Sequence, residues 1–284
     1  MGNDQSRYVL APPRFVLLGD SITEQSKFSG GYGVILGELY NRRAEVVVRG
    51  FSGYNTRWAL AAIDAALPPG GPAAVGLGPV KLVTVFFGAN DNADAQLNPK
   101  QHVPLAEYRE NLVAIVARAR ERYGRDVAVV LLTPPPIDPA VLEPTDGCPA
   151  PDRLPERVAE YAGACRDAAA ECGAPCVDLH AAFLAAPEWR SLLSDGLHLS
   201  DSGNKLVADE LERCIREHFP QLASLGADGG KPEQVHPLPP HLPHHMYANG
   251  ENQRRLFAAV AAEAAEAGAD AGRTLEVPKE LRLE

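Results

Sequence analysis

A serine, a glycine, an asparagine and an Asp-x-x-His pair stand at separate points of this chain, each beside a run that reads as a strand end or a helix start. They are Ser21 in "FVLLGDSITEQ", Gly53 in "GFSGYNT", Asn90 in "FFGAND", and Asp195 with His198 in "SDGLHLSDSG". A serine hydroxyl attacks a carbonyl only with an adjacent base, and that base requires a group to fix its tautomer and stabilise the imidazolium. His198 and Asp195 are the right types, and a spacing of three lets the carboxylate reach Nδ1 while Nε2 points elsewhere. Attack on an ester also creates an oxyanion, which needs donors already aimed at the developing charge. The backbone amides of Ser21 and Gly53 and the side-chain amide of Asn90 would make such a set.

Each residue also has a plain structural use. Asp20, Ser21 or Thr23 can cap a helix, Gly53 can serve a tight turn, Asn90 and Asp91 can cap the next segment, and an isolated Asp-x-x-His means little. The combination is what favours catalysis, because nucleophile, base, orienting acid and oxyanion donors all occur at element ends. Competing signatures are absent: the chain has no G-x-S-x-G elbow, no G-x-x-x-x-G-K-[ST], and no G-x-G-x-x-G after the first strand.

The elements that must position these residues follow from the hydrophobic pattern. Short apolar runs at residues 15–19, 45–49, 81–88, 127–133 and 176–179 suit parallel strands buried on both faces. Helical stripes separate them at residues 32–42, 56–67, 105–123 and 156–172. The third is clearest, with Leu105, Tyr108, Leu112, Ile115 and Ala119 spaced by three or four. A further amphipathic helix is expected over 202–219, ending at Pro220. Alternating strands and helices imply an α/β fold with a parallel sheet covered on both faces. In such a sheet ligands bind beyond the carboxyl ends of the strands, where Ser21, Gly53 and Asn90 fall.

At these blocks the chain resembles the SGNH or GDSL-type hydrolases: Gly19-Asp20-Ser21-Ile22, Gly53, Gly88-Ala89-Asn90-Asp91 and Asp195-Gly196-Leu197-His198 occur in the family's order over roughly residues 14–219. Ile22 replaces the Leu of the family's name, a swap of similar volume. The resemblance implies a three-layer αβα sandwich of about five parallel strands in flavodoxin-like order. "GYNTRWAL" and "TPPPID" look most like the isoamyl acetate-hydrolysing esterase branch. The implied activity is therefore hydrolysis of short-chain, acetate-type carboxylic esters by a serine esterase with a place in lipid metabolism. Ser21, Asp195 and His198 would be catalytic, and Ser21, Gly53 and Asn90 would form the oxyanion hole. A thioesterase or a carbohydrate O-deacetylase would use the same residues, and a non-catalytic binding protein of this fold is a more distant alternative.

Composition sets further bounds. The 284 residues are 45% hydrophobic, enough for a full core, and the formal charge of −10 gives no footprint for nucleic acid or an anionic membrane. A small-molecule ester is the expected partner. No cofactor or metal is expected, and the five cysteines form no C-x-x-C pair and read as reduced thiols. No apolar run is long enough for stable membrane insertion and the first residues lack a signal-peptide layout, so a cytoplasmic location is expected. Met1-Gly2-Asn3-Asp4-Gln5-Ser6 does fit a myristoylation pattern with Gly2 as acceptor.

By organisation, residues 1–13 read as an N-terminal arm and 14–220 as the hydrolase domain. Residues 221–284 read as a Pro/Gly/His-rich linker and an Ala/Glu-rich tail with a helix-like stretch at 252–267. His241, His244 and His245 in that linker read as solvated rather than metal-binding. The Pro-rich segment 134–155 leaves the fourth strand on the ligand side, either as a pocket wall or as a passive surface loop. Trp58 is expected to pack its helix against the sheet.

Overall fold

The computed structural model describes residues 12–70 and 77–224. Gly2, the three linker histidines and the 252–267 stretch lie outside the described residues. Five strands, β1 (Arg14–Gly19), β2 (Glu45–Gly50), β3 (Val80–Phe86), β4 (Ala128–Leu132) and β5 (Cys176–Val177), form one parallel sheet in the order β2-β1-β3-β4-β5. The helices are α1 (Ser21–Gln25), α2 (Tyr32–Leu39), α3 (Thr56–Ala61), α4 (Ile63–Ala66), α5 (Leu105–Tyr123), α6 (Pro155–Cys172), α7 (Leu179–Ala185) and α8 (Asp201–His218).

Strand alternation sends successive side chains into two separate cores. On one face Phe15, Leu17, Leu82, Phe86 and Val130 meet Tyr32 and Leu36 of α2, Phe183 of α7 and Val207, Leu211 and Ile215 of α8. On the other, Val16, Leu18, Val83, Val85 and Val129 meet Ala59, Ile63, Tyr108, Leu112, Ile115 and Cys165 of α3 to α6. This is a three-layer αβα sandwich, and it explains why β1 and β4 are apolar without alternation: both of their faces are buried. β2 departs from the expected full burial because it is an edge strand, with one neighbour among the described residues and a partly exposed surface.

Several boundaries differ from the sequence expectation. The 56–67 helix is broken at Ala62 into α3 and α4. α2 stops at Leu39, and Arg42 takes a left-handed conformation with φ +63°. Leu105, placed on the inward stripe of α5, is 38% exposed, because the buried stripe begins one turn later at Tyr108. The fifth strand ends at Val177, since Asp178 accepts from the Ala181 amide and starts α7 at Leu179. Beyond α8 the chain stays docked as far as Ser224, whose amide donates to the buried Glu212 carboxylate. Among the described residues, no helix is long and apolar enough to cross a membrane.

The chain adds β2 on one side of β1 and β3 on the other. The carboxyl ends of β1 and β3 therefore flank the point where the strand order reverses, which is where open sheets of this kind leave a crevice.

Candidate active site

The turn after β1 settles what Ser21 does locally. Asp20, not Ser21, is the N-cap of α1: its Oδ1 accepts from the Ile22 amide at 3.0 Å. Ser21 is the first helical residue, and its Oγ is free to meet His198 Nε2 at 2.9 Å. Gly19 permits this tight turn, because a Cβ there would stand 2.1 Å from Thr23 Oγ1 and 2.6 Å from the Phe86 carbonyl.

His198 comes from a loop closed at its base by Ser194, whose amide donates to the His198 carbonyl at 2.8 Å, beside the Leu193–Leu199 bridge. The two oxygens of Asp195 do different things. Oδ1 accepts the backbone amides of Leu197 (3.0 Å) and His198 (2.7 Å), which folds the loop, and Oδ2 lies 2.7 Å from His198 Nδ1. Burial works to raise the Asp195 pKa, but the hydrogen bonds from His198 and Leu197 outweigh it and hold the carboxyl below its ordinary value. The group is therefore an anion over the neutral pH range, which fixes the proton of a neutral imidazole on Nδ1 and leaves Nε2 as an acceptor for the Ser21 hydroxyl.

Gly53 lies after β2 with φ +78°, a left-handed conformation that L side chains rarely adopt. Asn90, 4% exposed, lies after β3; its Nδ2 donates to the Tyr54 carbonyl at 2.9 Å and its Oδ1 accepts from Arg153 Nη2 at 2.9 Å. Beneath these residues, Asp20 and Asp91 are fully buried, and burial pushes each carboxyl up to about 7. Asp91 Oδ1 accepts from the Thr56 amide and hydroxyl, tying the start of α3 to the end of β3.

The residues singled out from sequence thus converge at the carboxyl ends of β1, β2 and β3 and on the loop before α8. Others fall elsewhere. Trp58 does not pack α3 against the sheet: it is 37% exposed and meets Tyr54 edge-on at 6.0 Å, while Arg57 pairs with Glu107 on the surface. The 134–155 segment is anchored at both ends. Asp138 donates its amide to the Gly196 carbonyl at 2.8 Å on the Asp195–His198 loop, and Asp152 and Arg153 are buried against Asn90 and Asn98. Sequence reasoning missed Arg153 and Gln101: the signal for Arg153 was an Asp-Arg pair separated by Leu154 from the Pro155 that begins α6, and Gln101 carried none. Among the described residues, no cluster of metal-ligating side chains is present, and all five cysteines are free thiols.

A hydroxyl on a base, the base on a carboxylate, and a nearby glycine and asparagine on a three-layer αβα frame define a class, the α/β serine hydrolases without a G-x-S-x-G elbow. Residues 17–206 match the GDSL-like lipase/acylhydrolase family, and the chain belongs to that family. It is 39% identical over 254 residues to a GDSL esterase/lipase of Arabidopsis thaliana, covering 86% of this chain and 97% of that protein. It is 40% identical over 216 residues to an isoamyl acetate-hydrolyzing esterase 1 homolog of Homo sapiens, covering 75% of this chain and 85% of that protein. In fold it is similar to a crystallised lipase/acylhydrolase from Enterococcus faecalis, with a TM-score of 0.55 at 24% identity over 78% of this chain and 100% of that one. The protein is a carboxylic ester hydrolase of the SGNH type.

Proposed function

We propose that the protein hydrolyses short-chain, acetate-type carboxylic esters through an acyl-enzyme formed on Ser21. The observation that carries this reading is the hydrogen-bonded chain from Ser21 Oγ to His198 Nε2 (2.9 Å) and from His198 Nδ1 to Asp195 Oδ2 (2.7 Å). Ser21 attacks the ester carbonyl as His198 takes its proton, and the imidazolium, stabilised by Asp195, passes that proton to the departing alcohol. Water then enters along the same path, with His198 as base, and releases the acid. The Ser21 and Gly53 amides and the Asn90 amide group stabilise the oxyanion at both stages.

The acetate preference is supported by the likeness to the isoamyl acetate-hydrolyzing esterase 1 homologs, about two fifths identical over three quarters of the chain. A panel of esters that varies acyl length and alcohol independently, run with wild type and Ser21→Ala, tests it. Acetate esters should be turned over fastest and Ser21→Ala should be inert. A preference for long acyl chains or for thioesters would overturn the substrate assignment.

A further inference from the structure

Arg153 is 4% exposed, so its charge and its five N–H groups must all find partners inside the protein. They do. Nε donates to the Ala89 carbonyl (2.6 Å), Nη1 to Thr145 Oγ1 (2.7 Å) and Asp152 Oδ1 (2.9 Å), and Nη2 to Asn90 Oδ1 (2.9 Å) and Gln101 Oε1 (3.0 Å). Asp152, 1% exposed, supplies the opposite charge and also accepts from Asn98 Nδ2 at 2.7 Å.

The direction of these bonds matters. A guanidinium has donors and no acceptor, so only the carbonyl oxygen of the Asn90 amide can face it and the NH₂ must turn the other way. One of the two N–H groups on that NH₂ goes to the Tyr54 carbonyl at 2.9 Å, which leaves one for substrate. Gln101 repeats the logic. Its Oε1 faces Arg153 and Asn98, so its Nε2 turns outward and donates to the Gly53 carbonyl at 3.0 Å.

We propose that Arg153 is the positioning residue of the oxyanion hole, orienting Asn90 directly and Gly53 through Gln101. This rests on the esterase reading above. The far end of the Pro-rich segment thereby places a buried cation against Asn90 and, through Gln101, braces the Gly53 carbonyl.

A double-mutant cycle on turnover of p-nitrophenyl acetate tests this, using Arg153→Lys, which keeps a cation opposite Asp152 but cannot serve both amides, and Asn90→Ala. Arg153→Lys should lower kcat about tenfold or more with little change in KM, approaching the hundredfold to thousandfold expected of Asn90→Ala. In the Asn90→Ala background it should cost much less, because the partner it orients is gone. Equal losses in both backgrounds, or a loss that tracks the unfolded fraction, would overturn the assignment. Should Arg153→Lys not fold, Gln101→Met carries the test: it loses some stability because Arg153 and Asn98 lose an acceptor, but kcat measured where the variant is fully folded falls several-fold at unchanged KM, and an unchanged kcat overturns the relay. A wild type that neither turns over the ester nor reacts with a fluorophosphonate defeats the esterase reading itself. An active wild type with a fully active Arg153→Lys defeats only the role of Arg153.

Discussion

His198 Nε2 lies 2.9 Å from Ser21 Oγ although 177 positions of sequence separate the two residues. The meeting depends on β1 being interior to the sheet and on α8 packing across the same face as α2, so that the loop before α8 overhangs the end of β1. Because Asp20 caps α1, this contact uses a hydroxyl that the fold does not otherwise need.

Ser21→Ala should therefore separate activity from stability. Ester turnover should be lost, while stability changes by no more than about 0.5 kcal/mol, as for a substitution that removes neither a cap nor core volume. Hydrolysis of p-nitrophenyl acetate and a thermal melt on one sample check both. A large drop in melting temperature would mean that the hydroxyl is structural after all.

Asp195→Asn tests the orienting role proposed for this carboxylate. An amide can keep the Oδ1 bonds to the Leu197 and His198 amides, so the loop should persist, but an NH₂ facing Nδ1 favours the wrong imidazole tautomer. We expect kcat to fall by about a thousandfold or more with KM nearly unchanged. Steady-state kinetics that show only a raised KM would speak against this role.

Gly53→Ala probes backbone shape with space held constant. A Cβ at that position meets only Gln101 Nε2, at 3.5 Å, so crowding is small, whereas φ +78° costs a non-glycine residue about 1 to 2 kcal/mol. If the backbone relaxes to relieve this, the Gly53 amide is displaced and kcat drops roughly tenfold or more. Unfolding in urea and kcat measured together distinguish the outcomes: strain borne without relaxation lowers stability at full activity.

Asp91 predicts a pH effect on stability. Burial raises its carboxyl from 3.8 to about 7, so the folded state holds the proton more tightly than the unfolded state. The resulting stabilisation is fully present below about 3.8 and is lost as pH rises through about 7. Asp91→Asn keeps an acceptor for Thr56 and removes the titration. Relative to the mutant, the wild type should lose stability from about pH 4 to 7, read from urea midpoints. Parallel curves would contradict the burial argument.

Much of this architecture was legible because its cause is local. β1, β3 and β4 announce themselves as apolar runs, and α5 shows its buried stripe from Tyr108 to Ala119 directly in the spacing. The short helices α1 and α7 were harder, since five and seven residues are too few for a periodic stripe and only the caps Asp20 and Asp178 mark them. The five residues of the proposed site could be singled out because each sits at an element end and each is of a type with a distinct use in acyl transfer. Arg153 could not, because its partners Asn90 and Gln101 lie 63 and 52 positions away and a polar residue in a Pro-rich loop carries no periodic signal. Burial of an arginine is a tertiary fact, and its meaning depends on which amides it faces.

That Ser21 carries the acyl group is tested most directly by acid-quenching the protein during turnover of p-nitrophenyl acetate and locating the trapped acetyl group by peptide mass spectrometry. An acetyl ester on Ser21, absent from Ser21→Ala, is the expected result. Sustained turnover with acetyl found on another residue, or undiminished turnover by Ser21→Ala, would contradict it.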